Sequence, residues 1–231
     1  MVEGIRVSPG GYAWWYIDAI SADGTKAVSV IGFIGSVFSP WYHWSGRGDP
    51  ENHCCINVVT SGPLGRFTMT DRGRAALSRS RNSFRVGPSR IDWTGSSLRI
   101  TVNEWGALPM VGPLRGEIVL TPVALPDAVY DLTPDGAHRW RPIAPMSHVS
   151  VDLGRGHRWE GHGYFDSNTG IRPLEQDIKF WTWGRFPQRD RTVEHEDRPR
   201  ALPGDAAQLL VGVDGVGVPD GAACGQQGKC C

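Results

Sequence analysis

Short apolar segments, separated by turn-forming residues, recur along the first 186 residues and constrain the fold more than any other feature. In Leu98–Val102 the apolar residues alternate with Arg99 and Thr101, the period of a half-buried β-strand. A spacing of roughly 8–12 residues between such segments favours an antiparallel sandwich or barrel. Thirty Gly and 17 Pro supply turns, and ten Trp supply interior volume. The sequence therefore predicts an all-β protein with these strand segments: Tyr12–Ile20, Ala27–Phe38, His53–Thr60, Arg66–Thr70, Leu98–Glu104, Gly116–Thr121, Ser147–Leu153, Trp159–Asp166 and Ile178–Phe186.

Two changes in composition divide the chain. Proline and glycine interrupt the strand pattern between Pro122 and Gly136, so we predict an N-terminal β domain over residues 1–136 and the start of a second β domain over 137–186. Every Trp, Tyr and Phe precedes Pro187. Because residues 187–231 lack aromatic side chains and strand periodicity, we predict that they form an irregular or disordered tail.

The 24 basic and 24 acidic side chains balance, which argues against a protein that acts through a global positive field. One stretch, residues 66–90, carries seven Arg and a single acid, Asp71. We interpret this stretch first as a solvated loop and strand edge. Docking on an anionic membrane surface is the second interpretation, and binding of nucleic acid is the last. We expect no nucleic-acid partner.

The sequence gives no sign of a targeting or metal-binding segment. Residues 1–11 lack the basic start and apolar core of a secretory signal, and no apolar run is long enough to span a membrane. The five Cys form no C-x-x-C pair. His157 and His162 are five apart, a spacing that in a strand points two side chains to opposite faces. We expect a reduced, cytoplasmic chain with no metal site.

Two residue pairs combine an acid with aromatic and imidazole groups. Tyr164 and Asp166 share one face of a predicted strand, and His138 and Trp140 share one face of an earlier strand. If both faces line one cavity, it holds a carboxyl that burial keeps protonated and aromatic rings that stabilise a cation. Protonating an alkene requires these groups. The alternative is that Asp166 caps the turn after its strand; Asp18, in the first strand, is a reserve candidate for the acid.

Six blocks of the sequence are distinctive: 11–19 (GYAWWYIDA), 33–40 (FIGSVFSP), 49–54 (DPENHC), 69–74 (MTDRGR), 159–168 (WEGHGYFDSN) and 180–185 (FWTWGR). Together they resemble the carotenoid 1,2-hydratases (hydroxyneurosporene synthases) of acyclic carotenoid biosynthesis. The resemblance runs from about Gly11 to Phe186.

This resemblance implies a lipocalin-like fold of two related β-barrel halves, and a cofactor-independent hydro-lyase that adds water to the terminal C1=C2 bond of neurosporene, lycopene and similar carotenes. It implies a photosynthetic bacterium, the spheroidene or spirilloxanthin pathway, and a cytoplasmic protein in peripheral contact with the inner or intracytoplasmic membrane. The family's His-x-Trp and Tyr-x-Asp pairs fall on His138, Trp140, Tyr164 and Asp166.

The roles implied for these four residues follow the chemistry of the reaction. Asp166 gives a proton to C2, Trp140 and Tyr164 stabilise the cation at C1, and His138 orients or deprotonates the water or re-protonates Asp166. We further expect four aromatic residues to line the substrate site: Trp15, Phe165, Trp181 and Trp183.

The chain departs from the family after residue 186, where the family's second barrel continues with further strands. We therefore expect a complete first barrel and an incomplete second one. Two other functions stay open: a non-catalytic, lipocalin-like protein that binds carotenoids or lipids, and an inactive, truncated hydratase.

Overall fold

The computed structural model describes most of the chain. For residues 180–185, 207–212 and 227–229, the structure describes the backbone alone. The described residues are 6–62, 64–108, 110–154, 156–185, 207–212 and 227–229.

Within the described residues, the chain forms fifteen strands, one short α-helix and three 3₁₀ turns. The helix α1 is Pro40–Trp44, capped by the Ser39 hydroxyl, and the 3₁₀ turns are Pro50–Asn52, Arg74–Ala76 and Leu174–Gln176. The strands are β1 (Tyr12–Ser21), β2 (Ala27–Ile34), β3 (Cys54–Ser61), β4 (Arg66–Thr68), β5 (Leu77–Ser80), β6 (Ser83–Val86), β7 (Ser89–Trp93), β8 (Leu98–Gly106), β9 (Gly112–Pro122), β10 (Tyr130–Asp131), β11 (His138–Asp152), β12 (Arg158–Gly170), β13 (Phe180–Arg185), β14 (Ala207–Gly212) and β15 (Gln227–Lys229).

Contacts divide the chain into two compact units, Met1–Leu174 and Glu175–Cys231. The first unit holds one antiparallel sheet in the order β4-β3-β2-β1-β12-β11-β9-β8-β7-β6-β5, with β10 paired to β11. Strand β12 therefore lies between β1, from the start of the chain, and β11, its neighbour in sequence. This arrangement brings residues near 12–18 beside residues near 138–170.

Strand β1 shows how the sequence assigns its two faces. Ala13, Trp15, Ile17 and Ala19 point into the hydrophobic core, and the Trp15 ring lies 4.7 Å from the ring of Phe84 on β6. Because β1 and β6 are far apart in the strand order, this contact requires the sheet to curl over its own core. The alternate residues of β1 face the other way.

The curl is supported at two further points. The Ala107 amide donates to the Phe67 carbonyl at 2.8 Å, which joins the end of β8 to the edge strand β4. On β2, a Cβ at Gly32 would lie 2.9 Å from the ring of Phe84, so only glycine allows the two layers this close. The sheet is thus curled into a half-barrel.

The Arg-rich stretch forms part of this sheet. Strands β5 to β7 occupy residues where no strands were predicted, because they are only four or five residues long. Phe84 and Ile91 are buried, whereas Arg85 and Arg90 alternate with them on the exposed face. The guanidinium of Arg72 is bonded to the buried Glu104 carboxylate, with a nitrogen–oxygen distance of 2.7 Å. Arg72 therefore has a structural role in this sheet.

The second unit contains a three-stranded antiparallel sheet in the order β14-β13-β15. Strands β14 and β15 fall in the segment predicted as an irregular tail; the sequence AQLLVG of β14 has the apolar side chains that a strand requires, although it lacks aromatics. The rest of 187–231 lies outside the described residues.

The prediction of an all-β, antiparallel architecture is confirmed, whereas the sheet of the first unit is a half-barrel and not the complete first barrel that was expected. The domain limits predicted at residues 136 and 186 stay a prediction; in the structure, strands on both sides of residue 136 share one sheet, and the division between units lies after Leu174. In the part of the chain that is described, no helix has the length and apolar character needed to cross a bilayer.

Candidate active site

The candidate site lies on the face of β11, β12 and β1 that is turned away from the core. Directly paired residues of an antiparallel sheet point to the same side, so the register identifies the groups that share this face. Asp166 on β12 is flanked by Tyr16 on β1 and Pro142 on β11. One step along β12, Asn168 is flanked by Trp14 and Trp140. The register thus assembles one site from three strands.

Asp166 is the centre of the hydrogen bonding on this face. Its side chain is buried, with 2 % of the residue exposed. The Tyr164 hydroxyl and the Trp140 Nε1 both donate to Oδ2, at 2.7 and 2.9 Å. The Asn168 Nδ2 donates to Oδ1 at 3.3 Å. Three neighbouring side chains therefore fix the orientation of the carboxyl.

Burial raises the pKa of Asp166 from 3.8 to about 7, because desolvation disfavours the carboxylate. The hydrogen bonds from Tyr164 and Trp140 act in the opposite direction, and the negative charge of Asp18 raises the pKa a little further. Near neutral pH a substantial fraction of Asp166 is therefore the neutral acid. A carboxyl in this state can donate a proton.

His138 forms a second centre on the same face. Its Nδ1 is 2.8 Å from the Tyr12 hydroxyl, and the two rings stack with centroids 5.7 Å apart. His138 pairs with Gly170, four residues from Asp166 along β12, or about 13 Å at the rise of a strand. The four predicted residues are thus brought to one face in two groups: Asp166 with Trp140 and Tyr164, and His138 with Tyr12.

Gly170 leaves space for this second centre. A Cβ built at Gly170 would lie 2.4 Å from the Tyr12 ring and 2.7 Å from the His138 Nδ1. Any side chain here would separate the tyrosine from the imidazole. The absence of a side chain at residue 170 is therefore part of the site.

Sequence reasoning missed Asn168 and Tyr12. Asn168 could have been found, since it follows Asp166 by two residues and so shares its face. Tyr12 could not, because its contact with His138 joins residues 126 positions apart. Asp18, the reserve candidate for the acid, lies on the same face, and the Tyr16 hydroxyl donates to it at 3.5 Å.

Two of the four residues expected to line the substrate site lie on the opposite face. Trp15 and Phe165 are buried in the hydrophobic core. Trp181 and Trp183 are in β13, of which the structure describes the backbone alone. The expectation for these four residues stays a prediction.

A cavity of about 550 Å³ lies on the Phe165 side of β12. Alternate residues of β12 and β11 line it together with the segment before β10, and the sheet itself separates it from the Asp166 carboxyl. Its lining residues include Trp93, Leu125, Val129, Ile143, Phe165 and Thr169.

Among the residues that the structure describes, no group of three or more His, Cys, Asp or Glu side chains is arranged to hold a metal ion. The Nε2 atom of His157 is 3.1 Å from the carbonyl oxygen of Leu64.

The fold and this face define a class: an antiparallel β protein with a buried carboxyl of raised pKa held among aromatic side chains. Comparison with known proteins identifies the family. The model of the family described as carotenoid hydratase CrtC matches residues 30–219. The chain belongs to this family, which confirms the resemblance seen in the sequence. The match continues to residue 219, beyond residue 186, where a departure from the family was expected.

Two relatives and one solved structure illustrate the similarity. The acyclic carotenoid 1,2-hydratase of Rhodobacter capsulatus is 59 % identical over 195 residues, which cover 84 % of this chain and 68 % of that protein. The enzyme of the same name from Cereibacter sphaeroides is 55 % identical, over 80 % of this chain and 65 % of its own length. The chain thus spans about two thirds of these relatives. The crystal structure of CghA has 12 % identity and a TM-score of 0.49, over 78 % of this chain and 51 % of CghA.

Proposed function

We propose that this chain is a hydro-lyase that adds water to the terminal C1=C2 double bond of acyclic carotenoids such as neurosporene and lycopene. One observation carries the proposal: the buried Asp166 carboxyl has a pKa raised to about 7 and is held by Trp140 and Tyr164. Membership of the carotenoid hydratase family supplies the substrate class.

The hydrogen bonds on Asp166 indicate which oxygen gives the proton. Both the phenol and the indole donate to Oδ2, so that oxygen accepts two hydrogen bonds. The acid proton is then carried by Oδ1, whose contact with Asn168 is long at 3.3 Å. In the proposed first step, Oδ1 gives this proton to C2. The π electrons of C1=C2 form the new C–H bond and leave a tertiary cation at C1.

The developing charges are stabilised from two sides. As Asp166 becomes a carboxylate, the donors Tyr164 and Trp140 strengthen their hydrogen bonds to it, since bonds to charged acceptors are stronger. The faces of the same aromatic rings stabilise the cation, by about 2 kcal/mol for a desolvated contact. Both residues are buried, so water does not screen these interactions.

The second step is the attack of water on C1. The new C–O bond forms a protonated alcohol, which loses a proton and leaves the tertiary alcohol, so that one water molecule is added in total. We propose that His138 acts on this water through intervening water molecules, since its partner Gly170 lies about 13 Å along β12 from the acid. The proton released returns to the Asp166 carboxylate through water. No cofactor enters this scheme.

We also propose a cytoplasmic protein in peripheral contact with the inner or intracytoplasmic membrane, where an apolar carotene dissolves. Exposed aromatic residues in α1 support this contact. Trp41 and Trp44 are 59 % and 74 % exposed, and tryptophan is favoured at the interface of a bilayer.

The test compares the wild-type chain with Asp166→Asn after expression with lycopene or neurosporene. We expect a 1-hydroxy carotenoid from wild type and a loss of at least about 100-fold in its rate of formation in the variant, the scale of a lost general acid. In heavy water, deuterium should appear at C2. Hydroxylated product at the wild-type rate from Asp166→Asn would refute the role of the acid.

The same experiment separates the other candidate function. A non-catalytic binder of carotenoids or lipids would shift the absorption spectrum of lycopene without forming product in the wild-type chain. An inactive, truncated hydratase would also form no product.

A further inference from the structure

The face that carries Asp166 continues over β1 and β2. Tyr16, the partner of Asp166, is itself paired with Ile31, and Trp14 is paired with Phe33. The alternate residues of β2, such as Val30 and Ile34, belong to the core on the other side. Four apolar or aromatic side chains therefore form a continuous surface that begins at the acid.

Aromatic contacts extend this surface towards solvent. The ring centroids of Trp14 and Phe33 are 5.9 Å apart, and those of Phe33 and Phe38 are 5.5 Å apart with perpendicular planes. Phe33 is 1 % exposed, whereas Phe38 is 47 % exposed. The series runs from the half-buried Trp14 to the surface, across the direction of the strands.

The other side of Asp166 is occupied by side chains that contact the acid or one another. Pro142 is its paired neighbour on β11 and is buried. The indole N–H of Trp140 donates to the Asp166 carboxyl. The Trp140 ring stacks on the ring of Tyr130, with centroids 5.1 Å apart. A ligand whose end touches Asp166 therefore has an apolar path over β1 and β2.

We propose that Trp14, Phe33 and Phe38 form the binding surface for the polyene chain of the substrate, which crosses β1 and β2 with its terminal double bond at Asp166. We refer to these three residues as the aromatic path. This inference rests on the proposed function, and it names the side chains that position the substrate.

The chemistry of the aromatic path fits a linear conjugated hydrocarbon. A polyene offers no hydrogen bonds, so it is held by apolar contact and by its flat π surface against aromatic rings. From β12 to β2 the path crosses two strand spacings, about 10 Å, before it reaches Phe38. Phe38 therefore contacts the substrate well away from the reacting bond, and it affects binding more than chemistry.

The test measures binding without turnover. In an Asp166→Asn background, lycopene in detergent micelles is titrated with protein, and the affinity is read from the shift of its absorption bands. We expect Phe38→Ala to weaken binding by about tenfold, the scale of one lost aromatic contact. The matched control is Trp105→Ala, since Trp105 is exposed on β8 outside the aromatic path. The lycopene affinity of this control should stay within about twofold of that of the Asp166→Asn protein.

Turnover provides the second measurement. With the acid intact, Phe38→Ala should raise KM for lycopene and leave kcat unchanged, because it removes contact that is equal in the ground and transition states. A short isoprenoid with the same terminal double bond does not reach Phe38, so its kinetics should be unchanged. Phe33→Leu, a smaller change at a buried position, should weaken lycopene binding in the same direction.

The outcomes distinguish this inference from the proposed function. Equal lycopene affinities for Phe38→Ala and Trp105→Ala would overturn the aromatic path, even if the wild-type chain forms product. Failure of the Asp166→Asn protein to bind lycopene would also overturn it. Normal binding that is weakened by Phe38→Ala, with no product from wild type, would support the path and refute the hydratase function.

Discussion

The raised pKa of Asp166 makes the stability of the fold depend on pH in a way that one substitution removes. In the unfolded chain this carboxyl loses its proton near pH 3.8, whereas in the folded chain it keeps the proton up to about pH 7. Between these values the folded state binds more protons than the unfolded state, so the free energy of unfolding falls as pH rises. Above pH 7 both states are ionised and the contribution of Asp166 is constant.

The size of the effect follows from the two pKa values. Each pH unit between them lowers the free energy of unfolding by about 1.4 kcal/mol, so the full loss is about 4 kcal/mol. Between pH 5 and pH 8 the loss is about 3 kcal/mol. Asn cannot ionise, and its amide oxygen can still accept from Tyr164 and Trp140. Asp166→Asn should therefore lack this part of the pH dependence.

The assay is urea unfolding of the full chain at pH 5, 6, 7 and 8, followed by tryptophan fluorescence. The difference in unfolding free energy between wild type and Asp166→Asn should change by about 3 kcal/mol over this range, in favour of the variant at high pH. Asp127→Asn is the control, since the Asp127 side chain is 93 % exposed; its curve should run parallel to that of wild type. Parallel curves for wild type and Asp166→Asn would refute the raised pKa.

Three further predictions concern other parts of the molecule. Gly170→Ala should abolish most hydration activity, because its Cβ would lie 2.4 Å from the ring of Tyr12, which contacts His138. Gly48→Ala is the control, since the space around its Cβ is open, and it should be as active as wild type. Equal losses of activity in the two variants would contradict this reasoning. Glu104→Ala should lower the free energy of unfolding by about 3–5 kcal/mol, since it leaves the partly buried guanidinium of Arg72 unpaired. Glu117→Ala breaks an exposed ion pair and should lower it by less than about 1 kcal/mol. Thermal melts of both variants measure the difference. Trp44→Ala should reduce co-sedimentation with anionic lipid vesicles several-fold, and unchanged sedimentation would count against membrane contact through α1.

The sequence carried enough information to predict the longer strands of the first unit and the local pairs of the site, but not the short strands β5 to β7. Tyr164 and Asp166, and likewise His138 and Trp140, share faces because the side-chain period of a strand is two. Which faces meet depends on register between distant strands, and no local pattern encodes it. The hydrogen bond between Tyr12 and His138 exists only because β12 pairs with both β1 and β11.

The adjacent Trp14 and Trp15 show the same limit. One of them points to the core and the other to the candidate site, and β1 buries residues on both faces. The polar groups of Tyr16 and Asp18 mark the Trp14 face, but burial on both sides of the strand made this a weak signal for distinguishing the two indoles. The expectation that Trp15 lines the substrate site was based on its residue type alone.

Phe165 connects stability with activity in this protein. It lies between Tyr164 and Asp166 in sequence, yet its ring fills the core on the opposite side of the sheet. A cavity-forming or oversized residue at 165 would shift the β12 backbone, and the acid would move with it. In laboratory evolution for thermostability, we therefore expect core substitutions far from β12 to be tolerated without loss of activity. Substitutions beside residue 165 that raise thermal stability should lower turnover.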